Sequence, residues 1–403
     1  MDLIKPELAG GFRDYLPADM IPRNRMLEKI KAVFERFGFL PMDTPALERS
    51  EVLGKEDSDF LIYRAGLEGV QDMALRYDLT VPLARFYAAN ADKLPHPFKR
   101  YQFGRVWRGE KQQTGKGRYR EFTQLDIDTV GSADSMADAE VVTVMYETLS
   151  TLGLEGGFTI HINNRKLLDG LTAESLRSID KLDKIGREAV EKELSADQLE
   201  LARILLNGNS TNPELDALVA NAHHLGVPRE ALMINNSVVR GLGYYTDNIF
   251  EARLNQLPEL GSVFSGGRYD NLVSKFAPMQ IPAVGASVGV DRLFAALDQL
   301  GLLQRELTTA KVLVLNFDID SRQAVQETAT LLRKENIAAE VYLGQENTLK
   351  GQLAYAVKQE YPVVLIIGSD ERAKGEVQIK DMVNRTAKQV AQSEIIPAVR
   401  QLL

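Results

Sequence analysis

Residues 99–128, KRYQFGRVWRGEKQQTGKGRYREFTQLDID, hold the side chains most able to do chemistry. Up to Arg120 they gather Lys99, Arg100, Arg105, Arg108, Lys111, Lys116, Arg118 and Arg120 against the one acid Glu110, a net +7 in a chain of formal net charge −8. Gln124, Asp126 and Asp128 then alternate with apolar residues on the returning segment. A basic strand, a glycine-containing loop and a return strand form a hairpin able to hold a polyphosphate, with acids behind it for a cationic group. A solvated sheet edge protected by charge carries a similar pattern. Trp107, the only tryptophan, stands beside Arg108, and Gly104, Gly109, Gly115 and Gly117 punctuate the stretch. Glycine weakens a strand and marks close approach of a ligand, which favours nucleotide activation over a bare edge.

Four more segments carry suitable groups. ALRYDLTVPLAR (74–85) places Asp78 and Thr80 at a helix start, where they also suit a plain N-cap. VVRGLGYYTDNIFEA (238–252) sets Arg240 four and five residues before Tyr244 and Tyr245, rings that serve equally as core or surface. SVFSGGRYDNL (262–272) reads as a glycine turn next to Tyr269, or as an ordinary hairpin turn. AVGASVGVDRLFAAL (283–297) is a small-residue strand entering a helix that opens with Asp291 and Arg292, and Arg292 also suits a surface ion pair.

These residues need a scaffold. At 403 residues the chain predicts two or three domains. Its 44% hydrophobic and 26% charged content is that of a globular protein, with no apolar run near the ~18 residues of a membrane helix. The absence of cysteine excludes disulfides and cysteine-based zinc sites, and the only histidines are His96, His161, His223 and His224; no metal ligand set is read. The first ten residues show no basic start followed by an apolar core, so a cytoplasmic location is expected. The net charge argues against diffuse nucleic-acid binding but leaves room for a local patch, since a few Lys/Arg suffice for phosphate contacts.

Helical spacing predicts helices over 20–37 and 135–152. Segments 99–108, 119–130, 157–163, 244–253, 261–265 and 283–288 read as strands, and their sequence without intervening helices predicts an antiparallel sheet. Residues 166–232 read as a helical insertion. From Lys311 the pattern alternates strand and helix, KVLVLNF, Ser321–Glu335, AAEVYL, Leu349–Glu360, VVLIIG, with no phosphate loop. The fold class expected is α+β: an antiparallel-sheet domain over 1–305 and a C-terminal α/β domain over 311–403. The latter holds twelve basic and twelve acidic residues, a neutral balance that suits recognition by shape and stacking.

Together the motifs closely resemble class II histidyl-tRNA synthetases over nearly the whole chain, from GGFRDYLP (10–17) through INNRKLLDG to the C-terminal domain. Residues 99–128 resemble class II motif 2, residues 283–297 resemble motif 3, and Pro45 in MDTPALE resembles the motif 1 proline at a dimer interface. RGLGYYT and SGGRYD resemble the family's two histidine-specific motifs, and LRYDLTVPLAR its histidine-binding segment. The DLT form, the motif 2 loop length and DKLDK lean towards the eukaryotic and archaeal style. Two positions depart from the family: Gly243 stands where Asp is usual, and Asp247 where Gly is usual.

The resemblance implies a class II catalytic domain with an anticodon-binding domain, and a homodimer. It implies that ATP, accompanied by Mg²⁺, activates L-histidine to histidyl-adenylate, which charges tRNA-His. Arg108 would contact the α-phosphate and the substrate carboxylate, Arg240 the α-phosphate, and Arg292 the γ-phosphate. Phe122 would stack on adenine and Glu110 hydrogen-bond it. Asp78, Thr80, Gln124 and Asp128 suit the ammonium and its surroundings; Tyr244, Tyr245 and Tyr269 suit the imidazole. The competing reading is a non-catalytic histidine sensor on the same fold, the regulatory subunit of ATP phosphoribosyltransferase. Such chains typically lack the C-terminal domain and the full arginine set.

Overall fold

The computed structural model describes residues 3–54, 62–66, 72–109, 118–207, 210–239 and 243–403. It forms two units, Met1–Asp14 with Met26–Leu302 and Tyr15–Arg25 with Leu303–Leu403.

The first unit is built on an eight-stranded sheet. Its order is Leu40–Pro41, Phe98–Trp107, Glu121–Val130, Ala283–Gly289, Ser262–Arg268, Asn248–Leu254, Phe158–Asn164, Leu232–Ile234. The outermost pair at each side is parallel and the remaining pairs are antiparallel. Strands Phe98–Trp107 and Glu121–Val130 pair along their whole length, from Phe98 opposite Val130 to Trp107 opposite Glu121.

Successive side chains of a strand point to opposite faces. In Glu121–Val130 this sends fully buried Leu125 and Ile127 one way and Gln124, Asp126 and Asp128 the other. The apolar face is covered by helices Ser135–Leu149 and Val290–Gln299 and by the helix residues from Met26 onward. There Phe34 meets Tyr101 edge-on at 6.1 Å and lies 6.4 Å from Phe264. The opposite face is left for the polar residues of a cavity.

The segment 166–232 is helical, with Ala173–Ile179, Leu182–Ile185, Arg187–Glu193, Ala196–Asn207 and Pro213–His224. Thr172 and Asn212 cap two of these helices through backbone N–H groups. A separate small core of Leu168, Ile179, Val190, Ala202 and Leu205, with Val239, holds the segment together.

In the second unit a five-stranded sheet runs Ala339–Val341, Val312–Val314, Val363–Ile366, Glu376–Asp381, Thr386–Ala391. The first two pairings are parallel and the last two antiparallel. Strand–helix alternation announces the first three strands. The final hairpin escapes it, because Val377 and Ile379 are the only core residues of its inner strand and its outer strand is almost wholly exposed. Tyr15–Arg25 belongs to this unit, where Arg25 pairs with Glu306 at 2.6 Å.

Two sequence expectations differ from the structure. The strand expected over 244–253 begins only at Asn248, so Tyr244 and Tyr245 sit on the preceding loop. Gly266 and Gly267 lie inside strand Ser262–Arg268 rather than at a turn. A Cβ on Gly267 would lie 2.8 Å from the Tyr245 ring, so its bare backbone is what lets that ring pack on the sheet.

Candidate active site

A cavity of about 340 Å³ opens on the polar face of the sheet. Asp78, Thr80, Arg108, Phe122, Gln124, Asp128, Tyr244, Tyr245, Tyr269 and Arg292 all line it. These ten sequence candidates come from five separate segments. The two others, Glu110 and Arg240, lie outside the described residues.

One end is basic and one end acidic. Arg108 follows the first hairpin strand; its Nε donates to the Tyr77 carbonyl at 3.0 Å and its guanidinium stands 5.0 Å from the centre of the Phe122 ring. Arg292, one turn into helix Val290–Gln299, donates to the Ser262 carbonyl. Asp291 beside it accepts from the Thr123 backbone N–H at 2.7 Å, which ties this helix start to the hairpin. Arg118 joins this lining, a cation that the sequence reading counted in the basic stretch without assigning it to the site.

At the acidic end, Asp78 Oδ1 accepts from the Val81 N–H at 3.1 Å, in the first turn of helix Thr80–Asn90. The capping role and the cavity role therefore fall on one side chain. Burial, the largest cause, raises Asp78 and Asp128 to about 6 each and Asp126 to about 7, against partial relief from Arg100. Arg100 is fully buried and pairs with Asp128 Oδ2 at 2.6 Å. Asp128 Oδ1 accepts from the Tyr269 hydroxyl.

The three tyrosines stack as a cluster, with Tyr244 4.9 Å from Tyr245 and 5.7 Å from Tyr269 between ring centres. Burial raises the hydroxyls of Tyr244 and Tyr269 well above their ordinary value, so both stay protonated donors. Asp126, Ser265 and Ser287 complete this end, and Asp180 of the helical insertion reaches the lining. Asp126 was legible as one of the alternating acids of the hairpin but was not singled out.

The two departures from the family motif sit at the loop that carries the tyrosines. A side chain on Gly243 would meet open space. Asp247 is held by the Lys166 ammonium at 2.8 Å and by the Asn164 amide, and Lys166 also pairs with Glu214 at 2.8 Å. Asp247 thus anchors the loop to the base of the helical insertion.

Comparison with known proteins places the whole chain in a family. The family model described as histidyl-tRNA synthetase matches residues 11–203 and 188–293, and one described as anticodon binding domain matches 311–402. A histidine–tRNA ligase of Wolinella succinogenes is 43% identical, over 94% of each chain, and one of Rhodopirellula baltica is 41% identical, over 98% of this chain and 97% of its own. A crystal structure of histidyl-tRNA synthetase from Nostoc sp. PCC 7120 superposes with a TM-score of 0.87 at 29% identity, over the full length of both chains. A structure from Bacillus halodurans titled as an ATP phosphoribosyltransferase regulatory subunit/histidyl-tRNA synthetase has a TM-score of 0.73 over 91% of this chain and 99% of its own, but only 22% identity, a likeness of fold alone. Matched from the basic hairpin to the anticodon-binding domain, the chain belongs to the histidyl-tRNA synthetase family.

Proposed function

We propose that the protein is a histidine–tRNA ligase, activating L-histidine with ATP and transferring it to tRNA-His. The observation that carries this reading is one cavity with arginines at one end and acids with tyrosines at the other. In the first step a carboxylate oxygen of histidine attacks the α-phosphorus of ATP and the bond to pyrophosphate breaks, giving histidyl-adenylate. In the second, the terminal ribose hydroxyl of the tRNA attacks the activated carbonyl, losing its proton, and AMP leaves.

Such phosphoryl transfer asks the protein to position groups and stabilise charge. Arg108 bridges the carboxylate and the α-phosphate, Arg240 neutralises the α-phosphate, and Arg292 holds the γ-phosphate. Phe122 stacks on adenine, with its other face towards Arg108, and Glu110 hydrogen-bonds the base. Mg²⁺ travels with the phosphates, which with water supply most of its ligands.

At the other end the tyrosine hydroxyls address the imidazole, and Asp78, Thr80, Gln124 and the surroundings of Asp128 address the ammonium. The histidine-sensor reading is not favoured: Arg108 and Arg292 are retained at the cavity and the C-terminal domain is present. The regions flanking Pro45 support a homodimer, since Leu40, Leu47 and Phe103 are exposed apolar side chains there and on the neighbouring strand. No helix of the described residues is long and apolar enough to cross a membrane, and a cysteine-free chain suits the cytoplasm. Histidine-dependent exchange of pyrophosphate into ATP, followed by charging of tRNA-His, tests the reading. Exchange that is absent, or that does not need histidine, removes it.

A further inference from the structure

Among the described residues four buried oxygen atoms lining the cavity accept no hydrogen bond: Asp78 Oδ2, Gln124 Oε1, Asp126 Oδ1 and Asp128 Oδ2, the last of which is ion-paired with Arg100 at 2.6 Å. In each case the partner atom of the same group is engaged. Asp78 Oδ1 takes the Val81 N–H. Gln124 Nε2 donates to Ser287 Oγ, which turns its carbonyl oxygen away from Ser287. The Ser287 hydroxyl in turn hydrogen-bonds the Asp126 carboxylate, leaving Oδ1 over. Ser287 stands directly opposite Asp126 across the sheet, so the relay Gln124–Ser287–Asp126 is fixed by register.

Buried acceptors without donors are costly and rare in folded proteins. The three outside the Arg100 ion pair line one cavity and call for a ligand group with several donors. A primary ammonium has three N–H donors and a positive charge. Asp128 and Thr80 are engaged within the protein. Asp128 is bonded to Tyr269 and paired with Arg100, and the Thr80 hydroxyl is hydrogen-bonded with Tyr244.

Building on the reading of the site as a histidine pocket, we propose that Asp126 is a substrate-binding residue that completes, with Asp78 and Gln124, a three-acceptor socket for the substrate α-ammonium. Asp126 lies in the segment that resembles motif 2, but the resemblance assigns it no individual role. Its neighbours explain why it waits for a cation. Arg100 faces it from the adjacent strand, but Asp128 and Asp78 face it as well, and Arg76 lies further off in the same field. Burial and the two neighbouring acids favour the protonated form until a cation arrives.

The test separates the ammonium from the rest of the ligand. Histidinol keeps the ammonium and the imidazole; 3-(imidazol-4-yl)propionate keeps the imidazole and lacks the ammonium. Both are titrated as competitors of histidine-dependent pyrophosphate exchange, and directly by calorimetry, on the full-length protein and on Asp126→Asn. The expected result is a loss of about tenfold or more in histidinol affinity with affinity for the propionate changed less than twofold, because a charge-assisted contact is removed for one ligand only. Equal losses for the two ligands, or a histidinol change under threefold, overturn the proposal. If circular dichroism shows that Asp126→Asn does not fold, the same contrast is read in Ser287→Ala, which removes the hydroxyl that orients both Gln124 and Asp126. Unaltered protein that shows no histidine-dependent exchange would defeat the synthetase reading instead, so the two failures are distinguishable.

Discussion

Tyr269 donates its hydroxyl to Asp128 Oδ1, and the other oxygen of Asp128 is ion-paired with Arg100 at 2.6 Å. A tyrosine of the SGGRYD segment is thereby fixed by an acid of the basic hairpin. Tyr269→Phe removes the donor and leaves a buried carboxylate oxygen unmet, at a cost of about 1–3 kcal/mol. Thermal unfolding should fall by several degrees, and KM for histidine should rise while KM for ATP holds. An unchanged histidine KM would show that this pair only supports the fold.

Gly285 tests the same carboxylate from the neighbouring strand. A Cβ there would lie 2.0 Å from Asp128 Oδ1. Gly285→Ala should push Asp128 off both partners and abolish measurable histidine binding, with an ATP-analogue titration as the control for a folded cavity. Retention of wild-type histidine affinity would mean that the strand yields and the carboxylate stays.

The ligand-free protein should lose stability as pH rises from about 4 to about 7. Asp126 is raised to about 7, and Asp78 and Asp128 to about 6, chiefly by burial. A carboxyl whose folded value is raised holds a proton that the unfolded chain has released, so stability is full below the unfolded value and falls until the folded value is passed. Each unit of raised value corresponds to about 1.4 kcal/mol. Unfolding temperatures across this window should decline in the unaltered protein and flatten in Asp126→Asn. Parallel curves would contradict the assignment.

Arg240→Ala should slow adenylate formation about 10²–10³-fold, the usual cost of losing one electrostatic contact to developing charge. Histidine binding should weaken far less. Single-turnover kinetics with a loss under threefold would remove Arg240 from the α-phosphate.

Removing residues 311–403 should leave histidine-dependent pyrophosphate exchange largely intact and raise KM for tRNA sharply, since an anticodon loop is read by splayed bases on a separate surface. A folded truncated protein that charges tRNA with unchanged KM would exclude that role.

The sequence alone determined the element types and the chemistry. Alternation of Gln124, Asp126 and Asp128 with Leu125 and Ile127 is a local, period-two signal, and it named a strand with one polar and one core face. Charge density marked the phosphate hairpin, and strand–helix alternation marked the C-terminal domain. Tertiary structure decided what no local pattern encodes. It brought Asp78, the hairpin, the Tyr244–Tyr245 loop, Tyr269 and Arg292 to one cavity, in part through the pairing of Glu121–Val130 with Ala283–Gly289, more than a hundred residues further on. It placed Gly266 and Gly267 inside a strand, because the need for a bare backbone there is set by Ala286 and Tyr245 from elsewhere in the chain. Which partner each acid meets was likewise beyond the sequence: Asp126 and Asp128 are two residues apart on one strand, and only their neighbours in the fold give one the Ser287 hydroxyl and the other the Arg100 ion pair and the Tyr269 hydroxyl.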